Sequence, residues 1–255
     1  MIENNQWHRI FNKKKFSYIK DTNKIKYKNI NNFSYNLAKV IYPGLNHFKF
    51  LKITNFISKK LNIMKKKSIL DFGSGNGSFL SYFINKYNLK NNISLEISGP
   101  LLNLQKKFIK KTIFLKTHHI ETKIFNKLNA NSVDYSMCNS VFQYFYNENY
   151  AYKVLNFLLK TTKKKILIYD IKNPKTKKIY QEKVRKRQNL SILKFKEKYK
   201  KVPIRFYEKN TLKKILTKLQ KKYNFNFSFK NLPREATDYK YGYCLLIKKK
   251  NMKIR

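Results

Sequence analysis

Lys67-Ser68-Ile69-Leu70-Asp71-Phe72-Gly73-Ser74-Gly75-Asn76-Gly77-Ser78-Phe79-Leu80 is the stretch on which the reading of the whole chain turns. Ile69 to Phe72 is a short bulky run with one carboxylate, the length and character of a buried strand. Glycines at 73, 75 and 77 then interrupt it. Phe79, Leu80, Phe83 and Ile84 recur at helical spacing, so a helix begins beyond the glycines. Strand, glycine turn and helix together bring a ligand against bare backbone at a helix N-terminus.

The spacing excludes two frequent versions of that unit. A dinucleotide fingerprint needs its third Gly at position 78, which is Ser. A phosphate loop needs Gly-Lys-Ser/Thr at its end, and none follows. Asp71 instead stands two residues before Gly73. A carboxylate there repels a pyrophosphate and suits a ligand carrying positive charge. S-adenosyl-L-methionine, with its sulfonium and α-amino groups, fits that electrostatics better than NAD does.

Here the sequence resembles the class I S-adenosylmethionine-dependent methyltransferases, whose first motif has the form acidic-x-Gly-x-Gly-x-Gly. The resemblance implies an α/β, Rossmann-like fold. Its sheet would have seven strands, mostly parallel, with helices on both faces and a C-terminal antiparallel hairpin. It implies S-adenosyl-L-methionine as cofactor. It also implies that Asp71, Phe72, Gly73, Ser74, Gly75 and Gly77 surround the donor, with Asp71 at the methionine end. The likeness covers roughly residues 45 to 250 and is most specific at 69–77.

The chain of 255 residues is long enough for one sizeable core. It carries 58 Lys and Arg against 13 Asp and Glu, a net charge of +45. Such a surplus points to nucleic acid or an anionic surface. A second reading stands beside it. Lys, Asn, Ile, Phe and Tyr are abundant, all coded by A/T-rich triplets, while Gly (6), Pro (5) and Trp (1) are scarce. Arg, the better bidentate phosphate ligand, is rare. Biased composition alone would therefore produce the charge.

Cys138 and Cys244 lie far apart and form no disulfide framework or metal-ligand spacing. The first residues lack the apolar core of a signal peptide. No run approaches the ~18 apolar residues that span a membrane. A reduced, cytoplasmic setting is the expectation.

Residues 1–44 read as a polar, aromatic-dotted cover and 45–255 as the methyltransferase domain. A helical pattern from Leu45 to Leu61 precedes the first strand. Ile93 to Ile97 is the second strand. Glu96 falls about 20 residues past the glycines, where an acidic strand end accepts from both ribose hydroxyls. Ile97 follows it in the donor set. A helix opens at Ser98-Gly99-Pro100, and Thr112 to Lys116 is the third strand. His118 and His119 come next, where the resembled family often places an adenine-contacting Asp, so His118 joins the donor set at the adenine edge, or else the pair lies on a surface loop. An adjacent His pair without a third ligand is poor evidence for a metal, and none is expected.

Ser132 to Ser140 reads as the fourth strand and its exit, putting Asn139 and Ser140 beside the methyl donor. The segment Asn139-Ser140-Val141-Phe142 lacks the Asn/Asp-Pro-Pro-Tyr/Phe of enzymes that methylate adenine in nucleic acid. Ile166 to Ile171 is the fifth strand, with Asp170 near its end. Residues 172–207 form a basic insert expected to cover the substrate, or else a plain solvated helix pair. A helix around Leu212 to Leu219 and strands over 223–230 and 239–248 complete the pattern.

The expected activity is methyl transfer to a small metabolite or a sugar or other cell-surface precursor. RNA methylation using the basic surface is the alternative, and a non-catalytic cofactor-binding protein of the same fold is a third. A base to deprotonate the acceptor would come from Asp170, His118, His119 or Tyr144, with no choice among them.

Overall fold

Seven strands form one sheet in the order β3-β2-β1-β4-β5-β7-β6 in the computed structural model, which describes residues 30–41, 44–116, 128–201, 203–236 and 238–250. The strands are β1 (Ile69–Phe72), β2 (Asn92–Glu96), β3 (Thr112–Lys116), β4 (Val133–Asn139), β5 (Thr162–Lys172), β6 (Phe225–Asn231) and β7 (Gly242–Lys249). The first five run parallel, while β7 pairs antiparallel with both β5 and β6. This is the Rossmann-like methyltransferase architecture, with its closing antiparallel hairpin.

The helices are α1 (Ile30–Ile41), α2 (His47–Leu61), α3 (Ser78–Tyr87), α4 (Gly99–Phe108) and α5 (Glu148–Thr161), then α6 (Lys177–Arg187), α7 (Ile192–Lys201) and α8 (Lys209–Gln220). Two buried clusters flank the sheet. One joins Leu70, Phe72 and Ile168 to α5 and α8 through Val154, Leu158 and Leu216. The other joins Ile69, Met137 and Leu167 to α2 and α3 through Phe50, Ile57 and Phe83. Burial on both faces explains why the central strands read as continuous apolar runs. No described helix is long and apolar enough to cross a membrane.

Two elements extend beyond the sequence expectation. β5 begins at Thr162, so Lys163, Lys164 and Lys165 belong to it. Pairing overrides their polarity, because Lys165 lies beside Tyr135 on β4 and Lys248 on β7. Helix α1 was not marked by the sequence pattern. It buries Phe33, Leu37 and Ala38, and Ser34 hydrogen-bonds Ser81 of α3 at 2.9 Å.

Strand order reverses between β1 and β4, which are neighbours with Asp71 opposite Met137. Crossovers leave β1 toward one side and β4 toward the other, so a crevice opens at their carboxyl ends. The glycine turn and residues 139–140 meet there.

Candidate active site

The turn after β1 is held on three sides. Gly73 and Ser74 amides donate to the Leu95 carbonyl of β2 at 2.8 and 3.1 Å. Gln105, fully buried on α4, donates from Nε2 to Ser74 Oγ at 2.8 Å and to the Gly75 carbonyl at 2.7 Å. Its Oε1 accepts from Ser94 Oγ at 2.7 Å. On the outer side, Asn76 Nδ2 donates to the Leu37 carbonyl of α1 at 2.6 Å. Gly73 sits at φ +74°, and a Cβ there would lie 2.5 Å from Val141 Cγ2. Glycine at 73 thus lets the β1 turn close against the segment that follows β4.

Two carboxyl groups stand at the strand ends beneath this turn. Glu96 closes β2, accepting from the Gly75 amide at 2.7 Å and the Ser98 amide at 2.8 Å. Burial pushes its carboxyl up to about 7, against the pull of those backbone amides. Asp71 is buried on β1, and burial together with the Glu96 charge raises it well above the ordinary range. Asp71 Oδ1 has no hydrogen-bond partner among the described residues. Among them, too, neither carboxyl forms an ion pair, although the chain carries 58 Lys and Arg. Phe72 packs edge-on to Phe145, and Ile97 is half-buried beside Glu96.

The second half of the site lies on β4 and β5. Ser140 and Asp170 both take left-handed backbone conformations, with φ of 56° and 63°. Ser140 Oγ donates to Asp170 Oδ2 at 2.8 Å and approaches Asn139 Oδ1 at 3.1 Å. The β5–β7 pairing slips between Ile168 and Ile171, an irregularity that re-aims Asp170. Gly242 of β7 makes room for it, since a Cβ there would lie 3.0 Å from Asp170 Oδ1 and 2.8 Å from the Ile171 carbonyl.

Behind Asp170 lies Lys172, whose side chain is wholly buried. Its Nζ reaches Asp170 Oδ1 at 2.8 Å, Asp170 Oδ2 at 3.0 Å and Asp238 Oδ2 at 2.7 Å. Lys183 binds the other Asp238 oxygen at 2.9 Å. Burial disfavours the Lys172 cation, but Asp170, with Tyr180 and Asp238, holds it above the ordinary lysine range. Burial also raises Asp170, against the Lys172 charge. Tyr144, in a short 3-10 turn, is raised chiefly by burial and keeps its proton at neutral pH.

The structure therefore gathers Asp71, Phe72, Gly73, Ser74, Gly75, Gly77, Glu96, Ile97, Asn139, Ser140 and Asp170 along one carboxyl edge. His118 and His119 lie outside the described residues. Sequence reasoning missed Gln105, Ser94, Lys172 and Asp238. Gln105 gave one signal, a polar residue on the apolar face of a helix otherwise lined by Leu101, Leu102 and Leu104. Lys172 gave none, because a lysine at a strand end normally reads as solvated.

The pair Asp71 and Glu96 suits a cationic adenosyl ligand on the strength of the unpartnered Asp71 oxygen. Residues 70–166 match the model of a family described as a methyltransferase domain. No curated protein matches the sequence. Among solved structures, magnesium protoporphyrin IX methyltransferase from Synechocystis PCC 6803 with bound SAH superposes with a TM-score of 0.58 at 12% identity. That match covers 96% of this chain and 98% of the other. A SAM-dependent methyltransferase from Aquifex aeolicus gives 0.53 at 14% identity, covering 85% and 98%. Geranyl diphosphate C-methyltransferase from Streptomyces coelicolor A3(2) gives 0.54 at 9% identity, covering 79% of each chain. At these identities the likeness is one of fold. Taken with the glycine turn, the match gives the chain a class I S-adenosylmethionine-dependent methyltransferase domain over residues 70–166.

Proposed function

We propose that the enzyme methylates a small molecule seated at the ends of β4 and β5. One observation carries this reading. A narrow cleft of ≈ 40 Å³ opens there, with Asn139, Ser140, Asp170 and Asp238 on one wall and Leu45, Ile53 and Phe79 on the other. A cleft of that size seats only the reacting end of an acceptor, and its mixed wall orients that end by a few polar contacts against apolar side chains.

When bound, S-adenosylmethionine supplies a methyl group already activated on sulfonium, so the chain contributes chiefly proximity and alignment. Asp71 meets the donor's amino group, and Glu96 accepts from its ribose hydroxyls. Gly73, Ser74, Gly75 and Gly77 present backbone to it, with Phe72 and Ile97 beside them. Asn139 and Ser140 line the passage toward the acceptor. Asp170 takes the acceptor's proton, directly or through Ser140 Oγ. It is favoured over Tyr144 because it lines the cleft, while the Tyr144 hydroxyl is held protonated by burial.

Incubation with methyl-labelled donor and a fractionated extract tests this. Label in the small-molecule fraction supports the reading. Label in RNA overturns it for the alternative that the net charge of +45 favours. Donor binding without label in any fraction overturns it for a non-catalytic role.

A further inference from the structure

Residues 175–201 carry twelve Lys and Arg against two Glu. That is roughly twice the charge density of the chain as a whole. A nucleotide bias raises lysine everywhere and does not concentrate it in one insert. The same insert shows aliphatic side chains to water. Helices α6 and α7 turn Tyr180, Val184 and Phe195 inward as a small separate cluster. In the first turn of α7, neighbouring Ile192 and Leu193 are 58% and 74% exposed. Ile179 on α6 is 64% exposed. Lys194 and Lys196 follow the pair on α7, and Lys186 and Arg187 end α6 just before it in sequence.

Exposed aliphatics ringed by bases match a surface that is apolar beneath and anionic above. From this we infer that the first turn of α7 docks the enzyme on an anionic lipid bilayer. Ile192 and Leu193 enter the acyl boundary, and the flanking lysines sit among the headgroups. RNA fits the insert less well. Stacking on bases needs exposed rings or free guanidiniums. Tyr180 and Phe195 are buried, and of the two arginines in residues 175–201 Arg185 is committed to Glu182 and to the Leu190 carbonyl, which leaves Arg187 alone for such stacking.

Cosedimentation tests this, using vesicles of phosphatidylglycerol with phosphatidylcholine and vesicles of phosphatidylcholine alone. A net charge of +45 attracts any anionic surface at low salt, so the deciding measurement is made at about 0.5 M salt, where surface charges are screened. Wild type stays on the anionic vesicles there. Ile192→Ser with Leu193→Ser lowers its partition at least about tenfold, the effect of withdrawing two large aliphatic side chains. Circular dichroism and affinity for S-adenosylhomocysteine stay unchanged, because both side chains are exposed. An environment-sensitive dye on Leu193→Cys shifts to the blue on those vesicles, and the same dye on Lys222→Cys does not. Equal partition of the two proteins, no dye shift at 193, or wild type left in solution overturns the inference. Retention on tRNA that ignores the double substitution, together with equal vesicle partition, replaces the lipid with RNA.

Discussion

Ser140 Oγ donates to Asp170 Oδ2 across 2.8 Å, and both residues hold left-handed backbone conformations at the ends of adjacent strands. Two non-glycine residues in that region cost energy, which the surrounding pairing offsets. If Asp170 receives the acceptor's proton, Asp170→Asn lowers methyl transfer by about 10²–10⁴-fold. Affinity for S-adenosylhomocysteine, measured calorimetrically, stays within about threefold. A variant that loses both together places Asp170 in the donor site instead.

The buried carboxyl of Glu96, pushed up to about 7, sets a pH dependence with a definite sign. The folded protein binds this proton more tightly than the unfolded chain, whose value is near 4.5. Stability of the ligand-free enzyme therefore falls as pH rises from about 4.5 through about 7, then levels. Donor affinity runs the other way, rising to about pH 7 as the carboxylate forms. Glu96→Gln removes the Glu96 share of both slopes, leaving that of Asp71, and weakens donor binding. Denaturant midpoints and calorimetry across that range check the two slopes.

Gly73 answers to both its backbone and its neighbour. Gly73→Ala adds a Cβ at φ +74°, 2.5 Å from Val141 Cγ2. We expect a loss of about 2–4 kcal/mol from the left-handed conformation and the clash together. Adding Val141→Ala recovers the clash but not the backbone term. A double-mutant cycle on denaturant stability separates them, and zero coupling would contradict the contact.

Lys172→Met leaves Asp170 and Asp238 facing each other without their shared cation. Breaking a buried pair from one side costs about 3–5 kcal/mol. Lys172→Met with Asp170→Asn is more stable than Lys172→Met alone, because one stranded charge goes. Thermal melts of the three proteins decide it, and identical melting for single and double variants sinks the argument.

Gln105→Leu removes hydrogen bonds to Ser74, Gly75 and Ser94 from the underside of the glycine turn. Expected are a stability loss of about 1–3 kcal/mol and weaker donor binding. Unaltered donor affinity would show that the turn keeps its shape without that tie.

What could be read in the residues, and what could not, follows their periodicity. The strand Ile69–Phe72, the glycines and the Thr112–Lys116 strand stand where apolar pattern and turn chemistry put them. The Lys163–Lys165 start of β5 was hidden because partners far away in sequence, Tyr135 and Lys248, decide its state. Helix α1 was hidden by Asn31, Asn32, Ser34 and Asn36, all poor helix formers, and is held by packing on α3. At the site, Asp71 and Glu96 were legible because a carboxylate at a strand end is conspicuous in so basic a chain. Lys172 and Asp238 were not, since 66 positions separate them and only the fold brings them together.

The amide of Asn76 clasps the carbonyl of Leu37, so the donor loop is buttressed by a helix preceding the span that matches the methyltransferase domain. Trimming the protein to begin at Leu45 would unseat that buttress and strip the outer face of α3 at one stroke. Shortened versions made for crystallography or assay would then register a crippled loop as poor affinity, a fault of the cut and not of the enzyme.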